Sequence, residues 1–270
     1  ADGASRAATW KDFDAFAAAL PRTGDAAGVR VLAEPSHSPT RDRLKAAFLR
    51  TYPGAKWYEY APFPATGGKG YRAVPKLENA EVIVCLDDDL LQEHPAALVN
   101  TRHWAKRRRA EDGTMNRLWV VESGFSVTGG AADHRLPVKP SRIGAVAAGL
   151  YAAVIDKPVD SLPEADFVAK VAADLRAHPG RSIVTAGAGQ PAEVHELVGR
   201  LNQQLRNLGR TVNWAAQRGA DGIGVLAREM HAGKVGTLLI LGGNPAFTAP
   251  ADLSFAEALA KVATSIHLSQ

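Results

Sequence analysis

Short apolar runs alternate with amphipathic stretches along almost the whole chain. Each apolar run is bounded by glycine, proline or polar residues, so each predicts a strand. The predicted strands are residues 29–33, 57–60, 81–86, 118–121, 182–186, 212–214, 236–241 and 264–268.

Apolar residues at helical spacing fill most of the chain between these strands. They begin with Trp10, Phe13 and Phe16 near the start of the chain. The further predicted helices are residues 41–50, 96–109, 143–155, 164–177, 191–208, 222–231 and 255–262. Strands that alternate with helices predict an α/β protein whose parallel sheets are covered by helices on both faces.

The alternation runs in two series that are joined near residues 156–163. We therefore predict two doubly wound, Rossmann-like lobes, at residues 25–157 and 158–270, preceded by an N-terminal helix or extension at residues 1–24. The chain begins at Ala1 without an initiator methionine and ends directly after a predicted strand. We expect it to be an excised part of a longer protein.

Composition removes several classes of protein from consideration. A single cysteine, Cys85, cannot form an internal disulfide or by itself hold an iron–sulfur cluster or a structural zinc ion. The longest apolar runs, such as residues 145–155, are far shorter than the ~20 residues of a membrane span. A net charge of +4 indicates weak attraction to anions and is not typical of a nucleic-acid-binding protein.

The turns that follow strands are the places to look for a site, because α/β folds bind ligands at the carboxyl ends of strands. Residues 187–192 match G-x-G-x-x-A, but Gly209, Arg210 and Thr211 stand where a dinucleotide site has an acid. A tight turn is therefore favoured over NAD binding. Residues 242–245 form a second glycine turn, whose Asn244 can bond a phosphate, a ribose or its own backbone.

Charged runs allow two further hypotheses. Asp87, Asp88 and Asp89 end a predicted strand and suggest either a divalent metal site or, as the favoured interpretation, a helix cap with solvated acids. Residues 106–109 form a basic run at a helix end, which is typical of a solvated or docking surface. The histidines lack the spacing of metal ligands.

Several segments, taken in order, resemble the molybdopterin oxidoreductase family. The resemblance covers roughly residues 25–270. The matching segments are AEVIVCLD at 80–87 with His94-Pro95, LWVVES at 118–123, ADHRLPVKP at 132–140, QPAEVH at 190–195, GRTV at 209–212, LILGGNP at 239–245, ADLSFAEAL at 251–259 and IHL at 266–268.

Within that family the chain is most similar to the cofactor-less, molybdopterin-oxidoreductase-like iron–sulfur subunit of alternative complex III, a bacterial respiratory quinol oxidoreductase. The resemblance implies a scaffold in an electron-transfer complex that is not catalytic alone. It implies iron–sulfur clusters elsewhere in the full-length protein. The implied partners are that iron–sulfur region and other subunits of a membrane-bound complex on the periplasmic side of the inner membrane, with no nucleic acid and no membrane span in this chain.

The departures from the catalytic members concern the cofactor. Asp87–Asp89 replace a Gly-x-Asn turn, Glu122-Ser123-Gly124 replace Asp-Pro-Arg, and residues 139–143 lose a glycine and an acid. The resemblance therefore implies no molybdenum cofactor in this segment, no catalytic residue and no metal ligand. The positions that it carries over as vestigial cofactor-binding residues are Gly242, Gly243, Asn244, Glu122 and Ser123.

Two enzymatic alternatives stay open. The chain could be a fragment of a catalytic oxidoreductase that depends on molybdopterin guanine dinucleotide, with Glu122 accepting a hydrogen bond from the guanine amine. It could also be a metal-dependent phosphotransfer enzyme that uses Asp87–Asp89. The last hypothesis ranks lowest, since no phosphate loop or partner nucleophile is evident.

Overall fold

The computed structural model describes residues 7–19, 26–36, 38–62, 71–109, 111, 113, 115–159, 161–216 and 222–268. Its strands are β1 (Val29–Ala33), β2 (Lys56–Glu59), β3 (Tyr71–Pro75), β4 (Val82–Leu86), β5 (Arg117–Glu122), β6 (His134–Pro137), β7 (Ser182–Ala186), β8 (Val212–Ala216), β9 (Thr237–Leu241) and β10 (Thr264–Leu268). Its helices are α1 (Trp10–Ala19), α2 (Pro39–Thr51), α3 (Ala97–Lys106), α4 (Val127–Gly130), α5 (Ile143–Val154), α6 (Ala165–Ala177), α7 (Ala192–Gln204), α8 (Gly222–His231), α9 (Pro245–Thr248) and α10 (Phe255–Leu259).

The chain forms two compact units. The first unit comprises residues 1–62 and 220–270, and the second comprises residues 63–219. Each contains a parallel sheet flanked by helices, which confirms the predicted α/β class with two Rossmann-like lobes.

In the first unit the strand order is β10-β9-β1-β2, and all neighbours are parallel. Leu32 and Ile240 face a core that includes Leu226 of α8 and Phe255 of α10. Because side chains alternate along a strand, Trp57 points to the opposite face from its neighbours. There its ring meets that of a phenylalanine of α2, with centroids 6.2 Å apart.

In the second unit the parallel order is β6-β5-β4-β7. Every residue of β4 is buried, as expected for a central parallel strand covered on both faces. Val84 faces a core that α5, α6 and α7 complete, whereas Ile83 and Cys85 face a separate core with Leu77. Burial raises the pKa of the Cys85 thiol, which disfavours the reactive thiolate.

The structure also contains strands that differ from the sequence-based prediction. β3 was not expected, and it pairs in antiparallel register with β8, from Tyr71 opposite Ala216 to Pro75 opposite Val212. The apolar run at 212–214 thus joins a two-stranded ribbon rather than a parallel series. β6 is a further strand, in a stretch for which the sequence predicts neither strand nor helix, and it pairs with β5.

The boundaries of the units differ from the predicted lobes at 25–157 and 158–270. β9 pairs along its whole length with β1, and Val31 lies opposite Leu239. β7 pairs along its whole length with β4, and Val84 lies opposite Val184. Strands from both halves of the sequence therefore share each sheet, and the second unit is inserted between two segments of the first.

Part of the expected N-terminal extension is described. The prediction of a helix beginning near Trp10 is confirmed by α1, in which the rings of Trp10 and Phe13 meet edge to face at 5.9 Å. Residues 1–6 and 20–24 of the predicted extension lie outside the described residues. Within the described ranges, no helix has the length and apolar character needed to cross a membrane.

Candidate functional site

The carboxyl edge of the second unit's sheet carries Asp87 directly after β4. This residue has φ 51°, in the left-handed region, and its N–H donates to the carbonyl of Val121 at 2.7 Å. Its Oδ1 accepts from the N–H and the hydroxyl of Ser123 at 2.8 and 2.9 Å. Its Oδ2 accepts from Nε2 of Gln190 at 2.8 Å. Asp87 therefore joins the turns that follow β4, β5 and β7.

Asp89 is bound to the next loop in a similar way. Its Oδ1 accepts from the N–H of Thr128 at 3.0 Å and from the Thr128 hydroxyl at 2.5 Å. The same hydroxyl accepts from the N–H of Leu91 at 3.0 Å. Within the described ranges, no three His, Cys, Asp or Glu side chains are arranged to hold a metal ion. The acids accept hydrogen bonds within turns rather than capping a helix or facing solvent, which differs from the favoured interpretation of this run.

Asp88 lies between these two residues and is only 9% exposed. Burial and, to a smaller extent, the charges of Asp89 and Asp87 together raise the pKa of this carboxyl to about 6, although the hydroxyl of Thr185 opposes the shift. Asp88 is thus a buried acid that faces two other acids.

Glu122, one of the predicted cofactor-binding residues, ends β5 and is 3% exposed. It forms an ion pair with Arg135 and accepts from the hydroxyl of Ser126 at 2.6 Å. A Cβ atom on Gly129 would lie 1.9 Å from its Oε1, so the carboxylate also packs against α4. Ser123, the second predicted residue, donates hydrogen bonds to the Asp87 carboxylate from both its N–H and its hydroxyl. Both side chains are engaged inside the protein.

An open cavity of about 470 Å³ adjoins these residues. Its walls are Asp87, Asp88, Asp89, Gln92, Glu93, Glu122, Gly124, Phe125, Ser126 and Val127. The guanidinium of Arg135 lies 4.7 Å from the ring centroid of Phe125, in addition to its ion pair with Glu122. A phosphate placed in this cavity would meet carboxylates, since none of the wall residues is a cation.

The turn at residues 187–190 completes this edge. A Cβ atom on Gly187 would stand 1.8 Å from the carbonyl oxygen of Asp87, and the Gln190 amide is bonded to the Asp87 carboxylate. Pro191 directly precedes the first residue of α7. The glycine therefore allows two turns to pack closely, and the turn presents its side-chain donor to an internal acid. This geometry agrees with the tight turn that the sequence favours over NAD binding.

In the first unit, Gly242 and Gly243 follow β9 with φ 83° and 66°. These positive values confirm the conformational reason for two glycines here. The Glu34 carboxylate faces the turn: Cβ atoms on Gly242 and Gly243 would lie 3.3 and 3.2 Å from its oxygens. Asn244 precedes α9, and its side chain does not cap that helix. This glycine turn thus also faces an acid.

The basic run at 106–109 is partly neutralised. Arg108 donates to both carboxylate oxygens of Asp133 at 2.7 and 2.8 Å, and Arg107 lies 3.5 Å from the carboxylate of Glu81. These contacts tie both arginines to other parts of the second unit.

The structure adds residues that the sequence analysis did not single out. Gln190, Thr128, Arg135 and Glu34 each contact one of the carboxyl-end turns or its acids. These contacts depend on which strands are neighbours, and a single sequence does not specify that. Ser126 is different, because it accepts from the N–H three residues later, which is a local helix-cap pattern.

Comparisons with known proteins show the fold alone. No protein-family model matches the sequence, and no curated protein is significantly similar to it. Among solved structures, the chain is similar to one in the formyltransferase/hydrolase complex (FhcABCD) from Methylorubrum extorquens, determined in complex with methylofuran. The TM-score is 0.53 at 15% identity, over 96% of this chain and 78% of that one. That neighbour belongs to a multi-subunit complex.

Proposed function

We propose that the chain is a scaffold: a molybdopterin-oxidoreductase-like region of a multi-subunit electron-transfer complex that holds no molybdenum cofactor. One observation supports this most strongly. The strand ends at which α/β folds hold ligand phosphates carry carboxylates in both units, Asp87 and Glu122 in one and Glu34 in the other.

The residues present do not fit a guanine dinucleotide. Its phosphates need backbone N–H groups and cations, but the N–H of Ser123 is already bonded to Asp87 and the cation Arg135 is paired with Glu122. Displacing the arginine would leave the buried carboxylate of Glu122 without its ion-pair partner, which costs free energy. Like charges would add to that cost. No redox step is therefore assigned to this segment.

Support for the partners comes from two sides. The sequence resemblance favours an iron–sulfur region of the same polypeptide and the subunits of a respiratory quinol oxidoreductase on the periplasmic side of a bacterial membrane. The structural neighbour is itself a component of a complex. Both favour a chain whose role is to hold other proteins in place.

Calorimetry with GDP and with extracted molybdopterin cofactor tests the absence of a nucleotide site. We expect no binding heat at millimolar ligand and no molybdenum in the purified protein. Asn244→Ala is the informative variant, and Asn79→Ala, whose side-chain amide binds the carbonyl of Arg210, is its matched control. Micromolar binding that Asn244→Ala abolishes and Asn79→Ala preserves would overturn the proposal.

Purification of the native complex through a tag on the full-length protein tests the scaffold role. Ser123→Ala and Asn244→Ala should leave both the subunit composition and the activity of the complex unchanged. Deletion of this region should dissociate partner subunits. Loss of activity in either point variant, with the complex fully assembled, would instead indicate a catalytic role.

A second candidate is a scaffold in a complex that transfers or hydrolyses formyl groups, and the structural similarity over 96% of the chain favours it. The same purified complex separates the two. Electron transfer from a quinol supports the respiratory assignment. Formyl transfer to or from a methylofuran-type carrier, without quinol oxidation, supports the second.

A further inference from the structure

A groove at the C-terminal end of α7 is lined by side chains that can all donate hydrogen bonds. It has a volume of about 460 Å³, which suits a small ligand. Its lining consists of Tyr151, Arg200, Gln203, Gln204 and Arg206. None of these five residues is acidic, in contrast to the cavity beside Asp87.

Arg206 occupies an unusual backbone position. The N–H of Asn207 donates to the carbonyl oxygen of Asn202 at 2.9 Å. The N–H of Arg206 donates to the carbonyl oxygen of Gln203 at 3.0 Å. This pair of bonds forms a Schellman motif, whose left-handed residue is most often glycine. Here the left-handed residue is Arg206, with φ 57°. A long cationic side chain therefore stands where the backbone favours glycine.

The two arginines differ in their partners. Arg200 donates to Glu196 at 2.5 Å, and both side chains are more than half exposed. For Arg206, no ion pair forms with any carboxylate in the part of the chain that the structure describes. The negative end of α7 attracts a cation. It does not account for a groove in which two arginines, two glutamines and a tyrosine converge.

We propose that this groove binds a small anion with phosphate or carboxylate groups. Arg206 offers a planar, permanently charged guanidinium that matches the oxygens of such a group. Arg200 supplies the second positive charge, because the ligand can replace its exposed ion-pair partner Glu196. Gln203, Gln204 and Tyr151 supply uncharged donors. The site lies in the second unit and does not depend on the scaffold proposal.

Thermal melting and calorimetry with inorganic pyrophosphate and with malonate test this site. For Arg206→Gly we expect a higher melting temperature without ligand, because glycine relieves the left-handed strain. We expect the same variant to raise the dissociation constant at least tenfold and to abolish the ligand-induced rise in melting temperature. Arg43→Gln, an exposed arginine on α2, is the control and should bind like the wild type.

The two anions separate the sources of the ligand. Saturable binding of pyrophosphate alone assigns a phosphate-bearing ligand, and binding of malonate alone assigns a dicarboxylate. In either case the side-chain amide signals of Gln203 and Gln204 should shift in NMR spectra. No saturable binding of either anion, or binding that Arg206→Gly leaves unchanged, would overturn the proposal. An equal loss in Arg43→Gln would do the same, since it would indicate screening by net charge.

Discussion

Gly187 packs so closely against Asp87 that a methyl group on the glycine would stand 1.8 Å from the aspartate carbonyl oxygen. The turn after β7 thus rests on the turn after β4, and the Gln190 amide fastens the same two turns through the Asp87 carboxylate. The first glycine of a sequence that resembles a dinucleotide turn here allows two segments of backbone to come into contact.

Gly187→Ala should therefore destabilise the protein by about 2–3 kcal/mol, because backbone atoms at both ends of the contact must move. Urea unfolding measures the difference. Gly189→Ala is the matched control, since a Cβ atom there meets nothing within 4 Å. Its stability should stay within about 1 kcal/mol of the wild type. Equal effects of the two substitutions would show that the close contact is not what requires glycine.

Asp88→Asn should stabilise the protein at neutral pH. The native pKa of about 6 lies above the ordinary value of 3.8, so between these pH values the folded state retains a proton that the unfolded chain has lost. Wild-type stability should fall as the pH rises from about 4 to 6 and then level off, by about 3 kcal/mol in all. The variant should lack this fall and match the wild type near pH 4. Denaturant midpoints across this range test the prediction, and a constant difference between the two proteins would contradict it.

Glu229→Gln should have the opposite pH dependence. Burial raises the pKa of Glu229, but hydrogen bonds from Lys56, Arg30 and Tyr58 outweigh it and hold the pKa at about 2. The contribution of this carboxylate is complete above its ordinary value of 4.5 and is lost as the pH falls towards 2.

At pH 7 we expect Glu229→Gln to cost about 3 kcal/mol, because Arg30, whose side chain is only 5% exposed, loses its partner at 2.5 Å. The exposed pair Lys170–Asp166 provides the control, and Asp166→Asn should cost less than about 1 kcal/mol. Unfolding curves at pH 7, 5 and 3 measure both. A deficit that stays the same at pH 3 would mean that the charge of Glu229 is not the cause.

The pair Glu122–Arg135 should show strong coupling in a double-mutant cycle. Glu122→Gln leaves the Arg135 charge unpaired, and Arg135→Gln leaves the buried Glu122 charge unpaired. The double variant removes both charges. We expect a coupling energy of about 1–3 kcal/mol from unfolding free energies. Additive effects would mean that the ion pair does not hold the end of β5 in place.

The sequence predicts the individual strands and turns better than it predicts which strands lie next to each other. The fully apolar run in β4 and the glycines at 242–243 carry local signals, and both predictions are confirmed. The pairing of β1 with β9 carries none, because it joins residues far apart in the chain through backbone hydrogen bonds. Of the predicted site residues, the positions of Glu122 and Ser123 at a strand end follow from the pattern. Predicting their bonds, from Glu122 to Arg135 and from Ser123 to Asp87, requires knowledge of the strand order.

The antiparallel ribbon of β3 and β8 sets the order in which the chain can complete its fold. Because Tyr71 lies opposite Ala216, the inserted segment begins and ends side by side, as a self-contained insertion does. During synthesis the ribosome releases residues 71–216 before β9 exists. The inserted unit can therefore become native while β1 still lacks β9, its neighbour on the side away from β2. A nascent chain stalled before residue 237 would hold one finished unit and one exposed sheet edge, which makes that interval the one in which a chaperone matters most.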